Sequence, residues 1–70
     1  MNYKLSYRER EVVELIAYEY TSKQIAEKLC ICIDTVQSHR KNILAKLGAK
    51  NTAGMIFKSI EAKIIKLNYL

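Results

Sequence analysis

The chain has 70 residues and a formal net charge of +5; half of its residues are hydrophobic and 27% are charged, which is the balance of one folded domain. No apolar run approaches the ~18 residues of a membrane span, and the N-terminus lacks the apolar block of a secretory signal. We therefore expect a single cytoplasmic domain over residues 1–70, with no membrane partner and no room for the buried cleft of an elaborate enzyme.

Two capping boxes mark the first two helices. Ser6 is followed three residues later by Glu9, so that the serine oxygen can accept from a free backbone N–H while the glutamate reaches back to the cap. Thr21 and Gln24 repeat this spacing, which predicts that the chain turns sharply and starts a short second helix. Between the two boxes, one apolar stripe at helical spacing is formed by Val12, Val13, Ile16, Ala17 and Tyr20.

The third predicted helix has one apolar side and one polar side. Val36, Ile43 and Leu47 cluster on a helical wheel and predict the buried stripe. Gly48 is well placed to end this helix in a left-handed conformation. The opposite arc is polar and mostly small, and it holds Asp34, Gln37, Ser38, Lys41, Asn42 and Ala45.

A fourth helix, capped by Asn51 or Thr52, has apolar residues on more than one side. Met55 and Ala62 lie on one side. A separate wide arc is formed by Ala53, Ile56, Phe57, Ile60 and Ile64. One face can pack on the domain, and we interpret part of the other as a contact between two copies of the chain.

The elements together predict an all-α fold, a four-helix bundle with a central helix-turn-helix. The helices are expected over about residues 7–19, 22–29, 33–47 and 52–65.

A short helix, a tight connection and a longer helix with a polar outward face are typical of a helix-turn-helix. Residues 23–50 carry six lysine and arginine residues against two acidic residues, a balance that suits a polyanion. The start of helix 2, with Thr21, Ser22 and Lys23, offers backbone N–H groups and a positive dipole end to a phosphate. Amide, hydroxyl and ammonium groups that match base edges of the major groove are supplied by Gln37, Ser38, Lys41 and Asn42.

The two cysteines lie two residues apart, too few and too close for a disulfide framework. Cys30, Cys32 and His39 supply three potential zinc ligands without an evident fourth, whereas structural zinc sites use four. We therefore expect no metal and no cofactor, and we interpret both cysteines as small buried apolar residues.

The sequence resembles the LuxR/FixJ-type (GerE-like) helix-turn-helix domains of response regulators and short stand-alone regulators. The resemblance covers nearly the whole chain and combines several motifs at matching spacings. They are Leu5-Ser6-Tyr7-Arg8-Glu9 with Glu11-Val12, Lys23-Gln24-Ile25-Ala26 with Leu29, Thr35-Val36 with His39, and Asn42-Ile43 with Lys46-Leu47-Gly48.

This resemblance implies a sequence-specific bacterial transcription regulator that inserts helix 3 into the major groove of double-stranded DNA and dimerises through helix 4. The base-reading residues it implies are Gln37, Ser38 and Lys41. The start of helix 2 and the flanks of helix 3 would hold phosphates through Thr21, Ser22, Lys23, Thr35, Asn42 and Lys46. On helix 4, the expected dimer contact consists of Ala53, Ile56, Phe57 and Ile60.

Three positions depart from the family pattern. Glu19 stands where the family usually has a glycine that closes helix 1 in a left-handed turn, so helix 1 is expected to run on a little. Cys32 replaces a serine that usually caps the recognition helix, which weakens one hydrogen bond, while Asp34 compensates in part through the helix dipole. Thr52 replaces a common arginine at the start of helix 4, which affects a contact rather than the fold.

Other functions stay open at this point. The promoter-reading region of sigma factors shares the Arg-Glu-Arg-Glu-Val motif of residues 8–12 and also docks on RNA polymerase, which therefore remains a candidate partner; the fourth helix favours the regulator family instead. A helix-turn-helix that only binds proteins is disfavoured by the basic recognition face. We do not expect an enzyme, because the sequence has no carboxylate pair, no nucleophile with a base and no phosphate-binding glycine loop.

Overall fold

In the computed structural model, which describes residues 4–66, four α-helices follow one another without an intervening strand. They are α1 (Tyr7–Ala17), α2 (Ser22–Leu29), α3 (Ile33–Leu47) and α4 (Thr52–Glu61). The predicted all-α class is confirmed, and the bounds of α2 and α3 are those expected from the sequence. The connection between α2 and α3 has only three residues, so these two helices form the helix-turn-helix.

Side chains cap three of the four helix starts. Ser6 Oγ accepts from the Glu9 N–H at 3.1 Å, and Glu9 Oε1 accepts from the Ser6 N–H at 2.8 Å. The Thr21 and Gln24 pair repeats this arrangement at 3.1 and 2.9 Å. Asn51 caps α4, but Cys32 makes no side-chain hydrogen bond at the start of α3. Both capping boxes predicted from the sequence are therefore present. The start of α3 has no side-chain cap, in agreement with the weakened cap expected from Cys32.

All four helices of the described chain end in the same way, with a left-handed residue just after the last turn. After α1, the Tyr20 N–H donates to the Leu15 carbonyl at 3.0 Å and the Glu19 N–H to the Ile16 carbonyl at 2.9 Å. The left-handed residues are Glu19, Cys30, Gly48 and Lys63, with φ between 57° and 69°. Only one of them is glycine, and the left-handed conformation costs other residues roughly 1 to 2 kcal/mol.

Two predicted helix ends were wrong for this reason. Helix 1 was expected over 7–19 but ends at Ala17, because Glu19 takes up the left-handed turn despite its side chain. Helix 4 was expected over 52–65 but ends at Glu61, because the chain turns at Lys63. That turn directs Ile65 into the core, where it is 5% exposed.

The core lies where the four helices meet, and α3 packs against each of the other three. Every helix contributes side chains that are almost completely buried: Val12, Val13, Ile25, Val36, Ile43, Leu47 and Met55. Because α3 is held on its inner side by three neighbours, its outer side is presented rigidly to solvent. None of the described helices has the length and the apolar character needed to cross a membrane.

Candidate nucleic-acid interface

The three residues expected to face bases lie together on the outer side of α3. Gln37, Ser38 and Lys41 are all exposed, whereas Val36 and Ile43 on the opposite side are fully buried. Within residues 4–66, no hydrogen bond or ion pair holds the side chains of these three residues. Their donors and acceptors are therefore available for the edges of base pairs.

The start of α2 forms a second part of the same surface. Thr21 Oγ1 accepts from the Gln24 N–H, so this hydroxyl already serves as the helix cap. The N–H groups of the first turn that precede Gln24 have no partner inside the helix and lie at the positive end of its dipole. Lys23 is exposed and Ser22 is half-buried at this end. The arrangement suits an anion such as a phosphate.

The flanks of α3 differ from one another. Thr35 and Asn42 are exposed, as a contact with a phosphate requires. Lys46 instead directs its ammonium to Glu9, at 2.8 Å from Nζ to Oε1, while 44% of the Lys46 side chain stays exposed. One of the three N–H donors of Lys46 is thus engaged inside the protein.

Glu9 is the buried centre of this contact and is only 4% exposed. The same oxygen, Oε1, accepts from the Ser6 N–H and from Lys46 Nζ. Burial by itself raises the pKa of the Glu9 carboxyl, but the hydrogen bonds from Lys46 and Ser6 and the charge of Lys46 lower it overall below its ordinary value of 4.5. The pair joins the start of α1 to the last turn of α3. Sequence reasoning missed it, because 37 residues separate the partners and no local pattern links them.

A second link joins α3 to α4. Arg40 is half-buried, and its Nη2 donates to Thr52 Oγ1 at 3.0 Å. Its partner was not predicted, although Thr52 had been singled out as a departure from the family pattern.

The outward side of α4 is apolar. Phe57 is 64% exposed and Ile60 37%, and Ala53 is exposed beside them. Ile56 is half-buried and packs against the core, as does Ile64 after the turn at Lys63. Three of the four residues expected at a dimer contact therefore lie at the surface, and Ile64 does not extend that arc.

The turn between α2 and α3 corrects one interpretation. Cys30 and Cys32 were expected to be buried, but both are exposed free thiols. The residue between them, Ile31, is the one that packs against the core. In a connection this short, one inward residue leaves its two neighbours outside. Among residues 4–66, no group of three histidine, cysteine or acidic side chains lies close enough to hold a metal ion.

Comparison with known proteins gives a consistent family. The family model described as "Bacterial regulatory proteins, luxR family" matches residues 3–58. The oxygen regulatory protein NreC of Staphylococcus aureus is 39% identical over 62 residues, which are 89% of this chain but 29% of NreC. The chain thus spans less than a third of that curated relative.

Solved structures match over a similar length. A structure of the transcription factor GerE superposes with a TM-score of 0.88 at 31% identity, covering 91% of this chain and 96% of that one. The response regulator ChrA of a heme-sensing two-component system gives a TM-score of 0.86 at 31% identity, covering 93% of this chain and 32% of ChrA. VqmA of Vibrio cholerae, in a complex with ligand and DNA, gives 0.82 at 28% identity, covering 91% of this chain and 28% of VqmA.

Proposed function

This chain belongs to the LuxR family of bacterial regulatory proteins as a helix-turn-helix DNA-binding domain. We propose that it reads a specific sequence of double-stranded DNA through the outer face of α3. The observation that carries the proposal is the chemistry of this face. Gln37, Ser38 and Lys41 are exposed on the helix that three neighbours hold in place. Side chains on a helix that is fixed in this way can be matched to the donors and acceptors of the major groove.

Phosphate contacts would set the position of α3 in the groove. Thr21, Ser22 and Lys23 at the start of α2 are proposed to hold one strand, with Thr35 and Asn42 beside the recognition face. Lys46 is a further candidate, because two of its N–H donors are still available while the third binds Glu9. Such contacts fix the register of the protein on the duplex and carry no sequence information themselves.

We further propose that two copies bind adjacent half-sites and touch through Ala53, Phe57 and Ile60 of α4, with Ile56 behind them. A patch of this kind on a single helix should bury less than the ~1,200 Å² of a stable interface. The free domain would then be monomeric or weakly dimeric and would pair on DNA. A bacterial transcription regulator that acts on DNA in this way would work in the cytoplasm.

The test is a duplex selected from random sequences and titrated over a range of salt concentrations. The logarithm of the binding constant should fall linearly with the logarithm of the salt concentration, with a slope of about −0.9 for each phosphate neutralised. Lys23→Ala should weaken the selected and random duplexes alike and reduce the slope by about one phosphate. Lys66→Ala, which removes the same charge outside the helix-turn-helix, is the matched control and should leave both unchanged. An affinity that ignores salt, or no selected duplex, would contradict the proposal.

A further inference from the structure

The connection between α2 and α3 consists of Cys30, Ile31 and Cys32, and its outer surface carries two thiols. Ile31 is held inward by its packing on the core and by its N–H, which donates to the Ala26 carbonyl at 3.0 Å. Both cysteines are exposed, and neither makes a side-chain hydrogen bond among the contacts of residues 4–66. The proposed DNA binding assigns no role to this pair of accessible thiols, which a single residue separates.

The backbone of this connection sets how α3 stands on α2. Cys30 is left-handed, with φ 57° and ψ 45°, and Cys32 is extended, with φ −73° and ψ 150°. The Cys32 carbonyl accepts from the N–H groups of Thr35 and Val36, at 3.0 and 3.2 Å, and so begins the hydrogen-bond ladder of α3. Any bond that fixes Cys30 to Cys32 acts directly on the start of the recognition helix.

Two Cα atoms separated by one residue are at most about 7.6 Å apart, since consecutive Cα atoms are about 3.8 Å apart. Disulfides usually need about 4.4 to 6.8 Å between Cα atoms, with a defined twist about the sulfur–sulfur bond. A disulfide is thus possible when the Cα atoms of Cys30 and Cys32 approach to within this range, and the small ring that it would close constrains the backbone of all three residues. The dihedral angles of the connection would have to adjust.

We propose that Cys30 and Cys32 form a reversible thiol switch, in which a low-molecular-weight disulfide converts the two thiols into a disulfide within the turn and thereby weakens DNA binding. The inference rests on the proposed function of α3. In the first step one cysteine thiolate attacks the small disulfide, forms a mixed disulfide and releases one small thiol. In the second step the other cysteine thiolate attacks the mixed disulfide at the protein sulfur, closes the ring and releases the second small thiol.

In total the protein loses two protons and two electrons, and the small disulfide gains them as two thiols. Disulfides in reducing compartments are characteristically transient and redox-sensing, which fits a pair that supports no core contact in the described structure. Closing the ring turns the start of α3 relative to α2. Because Thr21 and Lys23 hold α2 on the phosphate backbone, the side chains of Gln37, Ser38 and Lys41 then no longer match the base edges in the groove. Reduction restores both helices.

The experiment uses the whole chain, excess oxidised glutathione as the probe and the selected duplex as the readout. Mass spectrometry separates the ring, which lacks two hydrogens, from a mixed disulfide, which gains one glutathione. The closed form should bind the selected duplex about tenfold or more weakly, the size of one lost base contact, and dithiothreitol should restore the original affinity. Circular dichroism should show that the helices are retained.

Cys30→Ser and Cys32→Ser are the matched variants. Neither can close the ring, and serine at position 32 can supply the missing cap of α3, so both should fold and bind DNA in the presence and absence of the probe. The proposal is overturned if the parent chain forms no ring, if it links two chains instead, or if the ring leaves the affinity unchanged. It is also overturned if a single-serine variant loses affinity as the parent does. If the reduced chain selects no duplex, the proposed function itself has failed, and the mass measurement still shows whether the ring forms.

Discussion

Helices α3 and α4 both bury one side in the same core, and both leave a second side at the surface, but the two outer sides differ in chemistry. On α3 the outer residues are Gln37, Ser38 and Lys41, whereas on α4 they are Ala53, Phe57 and Ile60. Core packing alone does not distinguish the helices. The outward side therefore indicates the class of partner: small polar and cationic groups fit a nucleic acid, and an exposed apolar patch fits another protein.

We expect the strongest effect on DNA binding from substitutions on the polar outer side of α3. Lys41→Ala and Gln37→Ala should each weaken binding to the selected duplex by about 1 to 3 kcal/mol, because each removes a side chain proposed to bind base edges. Random duplexes should be affected much less, so that the ratio of specific to random affinity falls. Titration of both duplexes by fluorescence anisotropy measures this ratio. Equal losses on both would show that this face does not read sequence.

The next prediction concerns the Glu9–Lys46 pair, which links the start of α1 to the last turn of α3. Lys46→Gln leaves the Glu9 carboxylate buried without its cation, and the unfolding free energy at neutral pH should fall by about 2 kcal/mol, the scale of a hydrogen bond to a charged group. The pKa of Glu9 is lowered in the fold, so the pair stabilises the protein above about pH 4.5 and loses that stabilisation as the pH falls through the lower folded pKa. The difference between variant and parent should therefore narrow in acid.

Urea denaturation at several pH values measures this difference, and Lys50→Gln, which removes an exposed lysine, is the control. A destabilisation that stays constant down to acid pH would contradict the role of the pair. The same variant tests the phosphate contact, because the slope of affinity against salt should also fall by about 0.9 if Lys46 holds a phosphate.

A substitution on the apolar outer side of α4 is expected to have a smaller effect on DNA binding. Phe57→Glu places a charge at the center of the proposed contact and should lower the apparent affinity for a duplex with two half-sites by about tenfold, because the second copy no longer binds at a high effective concentration. Affinity for a single half-site should stay close to that of the parent. Band-shift titrations on both duplexes give the comparison. Unchanged cooperativity would mean that this patch is not the contact between copies.

We expect a smaller change, in the stability of the fold, from a substitution at Glu19, which lies away from the outer sides of α3 and α4. Glu19→Gly should stabilise the fold by about 0.5 to 1 kcal/mol, since glycine relieves the left-handed strain but adds freedom to the unfolded chain. Glu14→Gly, in the body of α1, should instead destabilise it by about 1 kcal/mol. Thermal unfolding followed by circular dichroism distinguishes the two. A Glu19→Gly variant that unfolds earlier would show that the turn depends on the glutamate side chain.

Features that depend on neighbouring residues could be predicted from the amino-acid sequence. The capping boxes at Ser6 and Thr21, the buried stripe of α3 and the left-handed turn at Gly48 were all predicted, because each is a local pattern of hydrogen bonding or helical periodicity. The polar outer side of α3 followed as the complement of its buried stripe. These features were sufficient to predict the fold class and the candidate site.

Features that depend on residues distant in the chain became visible only in the folded protein. The Glu9–Lys46 pair and the hydrogen bond from Arg40 to Thr52 join separate helices, and no spacing in the sequence indicates them. Glu19 and Cys30 take up left-handed turns usually given to glycine, because packing of the next helix offsets the local strain. The exposure of both cysteines likewise follows from the packing of Ile31 against the core. Local patterns located the helix starts and the end of α3 at Gly48, whereas the ends of α1 and α4 depend on how the chain packs after each helix.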